Sequence, residues 1–355
     1  MQTMDISNKV QLDIEQSENA GERTSFHWNE LKWEGVLNTA LDQLYSSGIN
    51  LVLNNGATHN TSPDNEKLEI VVGDLIRGLW DVYQTMEPEQ WNTFTTQHLL
   101  EHPIFEIVKT EPMTKRCLEK PRGYAGDAVM IDYIYESSSI EYDLQNASPM
   151  GKAIYDVIIE YPSSRAVRFR RDYVAKLIDE KALEVDKPDI LSVACGHLRE
   201  ADKSLAFQNG KLGVYTALDQ DQESLDFIEQ RYPNGEIDTL CMNIRKLIMG
   251  REVLQSYDFI YASGLYDYLS ERVAARLSES LFKSLKPGGT LVIGNFKHNH
   301  SCIGFMESFM DWRLINRSEG EMAELVNGID REEILDLKTF TEENETIVFL
   351  VVTKK

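Results

Sequence analysis

A chain of 355 residues is longer than one ordinary domain and suits about two. With 42% hydrophobic and 26% charged residues it can build a sizeable core, which excludes a wholly disordered polymer. A formal net charge of −22 repels phosphate backbones and anionic lipid, and so argues against a dedicated nucleic-acid or membrane-surface binder.

Residues 1–25 are rich in Gln, Asn, Ser and Glu and are expected to form a loose tail, with no apolar core of a secretory signal. From Trp28 the pattern turns helical, with Trp33, Val36, Leu37, Ala40, Leu41 and Leu44 on one face. The polar stretch Asn54 to Asn65 reads as a loop. Leu68, Val71, Val72, Leu75, Ile76, Leu79, Trp80 and Tyr83 then recur at helical spacing. Pro88 opens a further helix through Trp91, Phe94 and Leu99, which His102-Pro103 closes. The run Pro121-Arg122-Gly123-Tyr124-Ala125-Gly126-Asp127 demands a tight backbone, and its composition fits a plain interhelical loop as well as a ligand-contacting one. A helix through Val129, Ile131, Ile134 and Tyr135 follows, then helical Met150 to Tyr155. At Pro162-Ser163-Ser164 either serine can cap the next helix, Arg165 to Ile178. That helix carries Arg165, Arg168, Arg170 and Arg171, read as a solvated face pairing with acidic neighbours rather than as an anion site.

From Asp189 the rhythm changes. Candidate strands are Ile190 to Ala194, Gly213 to Leu218, Ile237 to Cys241, Phe259 to Ala262, Thr290 to Asn295, Asp336 to Thr341 and Thr346 to Thr353. Helices fit between most of them, the α/β pattern of a mostly parallel sheet. The first strand leads into a tight turn at Gly196 and the start of a helix, and ligands bind beyond the carboxyl ends of such strands. A glycine there lets backbone N–H groups approach a ligand, and a helix N-terminus favours an anionic group. Ala194 and Leu198 stand where a G-x-G-x-x-G motif has glycines, which makes a poor dinucleotide site. Asp219 ends the second strand 23 residues beyond Gly196, a spacing at which an acid can accept hydrogen bonds from both ribose hydroxyls, the alternative being a helix cap, a role for which Asp221 competes. Asn243, after the third strand, suits an adenine edge, with Met242 against the ring face. The fourth strand ends at Ser263-Gly264, beside the topological switch point. Leu285-Lys286-Pro287-Gly288-Gly289 is a helix stop and turn before a buried strand. Cys117, Cys195, Cys241 and Cys302 show no C-x-x-C spacing and read as reduced thiols rather than a zinc or disulfide framework. No apolar run of about 18 residues exists, so no membrane span is expected.

As a set, the Gly196 turn, Asp219, the stretch Ser263 to Leu269 and the L-K-P-G-G-x-L-V-I segment from Leu285 to Ile293 resemble the class I S-adenosylmethionine-dependent methyltransferases. The resemblance runs from about Lys187 to Lys355. It implies a Rossmann-like seven-stranded sheet with the last strand antiparallel, and S-adenosylmethionine as cofactor. It implies cofactor contacts from Ala194, Cys195 and Gly196 near the methionine part, Asp219 and Gln220 near the ribose, Asn243 and Ile244 near adenine, and Ser263, Gly264 and Leu265 at the fourth strand. The family's acidic residue just before the loop is missing, since Ser192 and Ala194 stand there, and Arg199 and Glu200 are expected to take part instead. Lys120 to Asp127, Cys195-Gly196-x-x-Arg199-Glu200, Gly264 to Leu269 and Trp312-Arg313-Leu314 further resemble a bacterial subgroup making 3-hydroxy-fatty-acid methyl esters, such as methyl 3-hydroxypalmitate.

Methyl transfer is an in-line displacement in which the protein mainly aligns the acceptor and excludes water. A carboxylate acceptor, with a pKa of about 4, is already ionised and needs a positioning fork rather than a base. Arg122 and Arg313 are the leading forks, with Tyr124, Tyr266 and Asn295 lining the pocket. A hydroxyl or amine acceptor would favour a base, and His298 stands where one could sit, with His300 beside it. Otherwise His298-Asn299-His300 is a polar surface loop, and no metal site is expected. The expected organisation is a tail (1–25), an all-helical N-terminal substrate or lid domain (26–180) and a cofactor-binding domain (181–355). The expected partner is a small-molecule substrate, not nucleic acid, in a cytoplasmic protein, with a homodimer left open. N- or O-methylation of another small metabolite and a non-catalytic S-adenosylmethionine sensor or scaffold are the alternatives.

Overall fold

The computed structural model describes residues 26–46, 65–252 and 254–355, so the expected tail and nearly all of the Asn54 to Asn65 loop lie outside the described residues. Seven strands form one sheet in the order β3-β2-β1-β4-β5-β7-β6. They are β1 (Ile190–Val193), β2 (Tyr215–Asp219), β3 (Asp238–Cys241), β4 (Tyr257–Ala262), β5 (Leu285–Phe296), β6 (Ile334–Thr341) and β7 (Ile347–Lys354). The pairs among β1 to β5 are parallel, and β7 runs antiparallel between β5 and β6. The central strands are apolar runs because both faces of the sheet are covered. Alternate residues serve different cores. Ile190, Tyr215, Phe259, Tyr261 and Phe349 face one, while Leu191, Leu218, Ile260, Ile293 and Leu350 face the other. The expected Pro287-Gly288-Gly289 turn is absorbed into β5 as an irregularity. Register slips between Tyr257 and Phe259, and Gly288 takes φ 76°, which glycine alone adopts without strain.

The N-terminal residues are helical as far as they are described. The long helices are α1 (Phe26–Ser46) and α2 (Asn65–Thr85). Short turns of helix from Pro88 to Glu119 lead to α3 (Ala128–Ile134), α4 (Pro149–Ile158) and α5 (Pro162–Glu184). Trp33, Leu37, Leu68, Leu75 and Leu79 from α1 and α2 share one continuous core with the first sheet face. α6 (Gln222–Arg231) adds Leu225 and Ile228 to that same core; the other face is covered by α7 (Glu271–Lys283) and α9 (Glu319–Glu324), while α8 (Ile303–Phe309) packs back on α2. The start of α5 differs from expectation. Neither Ser163 nor Ser164 caps it, because Pro162 already occupies its first turn, and Ser164 Oγ donates instead to the carbonyl of Ile158 at 3.0 Å. No helix among the described residues is long and apolar enough to cross a membrane.

Candidate active site

A cavity of about 930 Å³ opens at the carboxyl ends of β1, β2, β3 and β4, within the size range of small-molecule sites. Ala194, Cys195, Gly196, Arg199 and Glu200 line it from β1, Asp219 and Gln220 from β2, Asn243 and Ile244 from β3, and Ser263, Gly264 and Leu265 from β4. The topology brings these twelve residues together because each follows a strand tip on one edge of the sheet.

Gly196 does not open a helix. Residues 195–203 are turns, and the next helix, Leu205–Gln208, is only four residues long. Ala194, Gly196 and Leu198 have φ of 53°, 51° and 50°, and left-handed residues cannot propagate a right-handed helix. Non-glycine residues in this region cost about 1–2 kcal/mol each, so the surroundings must impose the shape. Asp132 of α3 is bonded to both residues that flank Leu198. It accepts from His197 Nδ1 at 2.8 Å and from Arg199 Nε and Nη2 at 2.7 and 2.6 Å.

The polar groups at the strand tips are mutually bonded. Asp219 accepts the N–H of Gly196 on one oxygen and that of Asp221 on the other, both at 2.9 Å. A carboxylate has further lone pairs for ribose hydroxyls. Burial raises the Asp219 pKa, and the charge of Asp221 adds to that, against the pull of these N–H bonds. Glu200 is also pushed up by burial, while the Ser263 hydroxyl, 3.1 Å away, and the charges of Arg170 and Arg171 hold it back. Asn243 is less free than expected, since its amide donates to Gln220 at 2.7 Å and accepts from the N–H of Arg245 at 2.9 Å. Cys195 is buried, and its thiol is raised well above the usual range, so it is not a nucleophile. The set fits S-adenosylmethionine: an acid at the ribose position, a buried acid for an ammonium, apolar Met242 and Ile244 for a ring, and, on the same wall, a guanidinium with open N–H groups.

That guanidinium belongs to Arg170. It is 3% exposed, lines the cavity, and its Nε and Nη1 have no hydrogen-bond partner. Its Nη2 lies 3.4 Å from where a Cβ on Gly264 would sit. The nearest carboxylate, Asp267, is 4.0 Å away. The expectation of a solvated basic face pairing with acids therefore fits Arg165, which pairs with Glu160, while Arg168 pairs with Glu160 but is partly buried against the carbonyls of Ile134 and Ile159, and Arg170 and Arg171 are buried. Helical spacing carried the missed signal: both arginines lie three or four residues from Val167 and Val174, on the stripe that ends at Ile178. Asp267 is a second missed residue. Its carboxylate accepts the N–H of Phe296 at 2.6 Å, and burial lifts its pKa to about 6 against the pull of Arg170 and Arg317.

The expected catalytic residues divide. Tyr124 lines the cavity, its ring edge-on to Tyr268. Arg122 is spent on Asp221 at 2.8 Å, Ser224 at 2.9 Å and Glu223. Arg313 is spent on Glu307 and Thr95. Tyr266 is fully buried against Ser278, and Asn295 is bound to Phe296, Ile315 and Arg317. His298 pairs with Glu321 at the surface, while His300 is buried, with its pKa pushed down to about 3 by desolvation. None of these except Tyr124 lines the cavity.

The loop carrying Tyr124 closes one side of the cavity. Arg122 ties it to Asp221, Lys120 ties it to Asp311, and Asp127 caps α3 while receiving both Nε and Nη2 of Arg116. Gly126 packs so closely on the Tyr268 hydroxyl and on Trp312 that no side chain fits there. Trp312 in turn donates to that hydroxyl at 2.8 Å.

Residues 191–293 match the model of a methyltransferase domain. No curated protein matches the chain. Among solved structures, a possible exported protein from Bordetella parapertussis is 15% identical, covering 76% of this chain and 99% of its own, with a TM-score of 0.49. The N-methyltransferase NodS from Bradyrhizobium japonicum WM9, in complex with S-adenosyl-L-homocysteine, is 16% identical over 63% of this chain and 99% of its own, with a TM-score of 0.38. The 1,6-didemethyltoxoflavin-N1-methyltransferase from Burkholderia thailandensis is 16% identical over 56% of this chain and 86% of its own, also at 0.38. Likeness at this level bears on neither substrate nor mechanism.

Proposed function

We propose that this S-adenosylmethionine-dependent methyltransferase acts on a carboxyl oxygen of a small acceptor with an apolar body, a 3-hydroxy fatty acid or a similar carboxylic acid. The supporting observation is Arg170, a buried cation with two unpartnered donors in a cavity wall. Leaving buried guanidinium donors without hydrogen-bond acceptors is costly, and a planar fork matches a carboxylate. When bound, the cofactor supplies a sulfonium methyl whose leaving group needs no acid. Arg170 would orient the carboxylate. Tyr124, Tyr268, Phe296 and Trp312 would exclude water and wall the apolar part, and the helical segment 26–180 would serve as the lid. The test is methyl transfer from labelled cofactor to a matched series of fatty acid, 3-hydroxy acid, alcohol and amine of equal chain length. Base-labile label on the acids alone is expected; label on the alcohol or amine but on no acid refutes the reading.

A second reading has its own observation. Asp267, buried on the cavity wall with a pKa near 6, suits a base for a hydroxyl or amine acceptor. In that case the alcohol or amine takes the label, and Asp267→Asn abolishes it.

A further inference from the structure

We propose that Asp132 is the positioning residue of the cofactor loop: the helical N-terminal part, through this one carboxylate, builds the turn that the loop's own sequence resists. Two independent observations meet here. The first is the alternation of left-handed residues at Ala194, Gly196 and Leu198, of which only the glycine accepts that conformation freely. The second is the set of bonds that reaches the loop from α3. His197 and Arg199, the neighbours of Leu198 on either side, donate to the same carboxylate, at 2.8 Å from His197 Nδ1 and at 2.7 and 2.6 Å from Arg199. Fastening residues 197 and 199 to one anion turns the intervening Leu198 inward, where it is 1% exposed.

The clamp is buried and forms part of the cavity wall. Ser139 donates a further bond to Asp132 at 2.7 Å. The His197 ring stacks on Phe227 of α6 at 4.0 Å between centroids, and the Arg199 guanidinium lies 4.8 Å from the same ring. Asp132 has no exposed surface, and His197 and Arg199 are each 5% exposed. Burial alone would raise the Asp132 pKa, but the bonds from His197 and Arg199 prevail and hold it at about 2, so the carboxylate stays ionised. Buried and centred on one multiply bonded carboxylate, with His197 Nε2 left without a hydrogen-bond partner, this cluster suits an element that must hold a strained turn. The anchor lies more than 60 residues before the loop in sequence, so the methyltransferase domain match, which begins at residue 191, omits it.

The inference rests on the loop holding the cofactor, and its test separates the two. Titration of the wild-type protein with S-adenosylhomocysteine tests the premise. Hydrogen exchange of residues 194–200 in cofactor-free protein tests the clamp without it. Asp132→Asn is expected to speed that exchange and to weaken S-adenosylhomocysteine at least tenfold while helical circular dichroism is retained. Adding Ala194→Gly, which relieves one strained position at a half-buried site, is expected to recover at least threefold of the affinity. Arg199→Lys, which keeps the charge and loses the fork, serves as the second variant if Asp132→Asn does not fold, with an expected loss of at least threefold. Unchanged loop exchange, affinity within twofold of wild type in Asp132→Asn (or in Arg199→Lys if that variant is used), or no recovery from Ala194→Gly overturns the proposal.

Discussion

Replacing Arg170 by methionine tests the acceptor site most directly, because function and stability should move apart. Two charge-assisted hydrogen bonds to a ligand carboxylate contribute about 1.5–3 kcal/mol each. Losing them costs about 3 kcal/mol or more, roughly 150-fold in kcat/KM. Folding should not suffer in proportion. The guanidinium is 3% exposed, two of its donors have no partner, and Asp267 is 4.0 Å away. A buried guanidinium with two unpartnered donors contributes little net stability and a methionine of similar length removes its desolvation cost, while Glu200 and Asp267, whose pKa values its charge holds down, answer its loss by taking up protons. Thermal unfolding should therefore stay within a few degrees of wild type or rise. Steady-state assays varying acceptor and cofactor separately, with S-adenosylhomocysteine calorimetry, locate the loss. Arg170→Lys should recover part of the rate, since it restores charge without the fork. Wild-type kcat/KM in Arg170→Met refutes the reasoning. A loss confined to S-adenosylhomocysteine affinity assigns the fork to the cofactor's own carboxylate and refutes its role on the acceptor.

Asp219→Asn should weaken S-adenosylhomocysteine by about 100-fold, because one carboxylate serves both the Gly196 N–H and the expected ribose contacts; calorimetry within fivefold of wild type contradicts it. Arg122→Ala frees one end of the Tyr124 loop from Asp221, a partly exposed pair worth about 1 kcal/mol, so cofactor KM should rise about fivefold with kcat little changed. Asp267 has a folded pKa of about 6, above its ordinary value of 3.8, so its contribution to stability is present below about pH 4 and lost as pH rises through 6. Asp267→Asn should gain on wild type across that window by about 3 kcal/mol at most, and denaturant midpoints offset equally at pH 4 and pH 8 count against this. His298→Ala should leave turnover unchanged, because the ring pairs with Glu321 at the surface; a tenfold loss would restore it as a base.

Strand positions and strand-tip residues were legible in the sequence for one reason. A strand buried on both faces must be an apolar run, and a residue at its carboxyl end has its place fixed by the topology. Asp219 and Ser263 are placed that way without any knowledge of their neighbours. The charged residues were not. Arg122 and Arg313 stand in motif-like stretches, yet each meets a partner from elsewhere in the chain, Asp221 for one and, beside the nearby Glu307, Thr95 for the other. Whether a cation is spent is a tertiary fact. Arg170 is the converse: it was submerged in a run of four arginines, and only the stripe of α5 shows which of them turn inward.

The loop after β1 shows why the helix expected there fails. A glycine turn past a buried strand predicts a helix start as long as the following residues are free to choose. Here His197 and Arg199 are not free, because Asp132 holds both. Local preference would favour right-handed turns at Ala194 and Leu198, and buried charge-assisted bonds from another part of the chain override it. The two glycines missing from the motif and the unused acid on α3 are then one fact. On the proposal made above, a backbone that cannot turn by its own composition is turned by an anchor, which would make α3 part of the cofactor site.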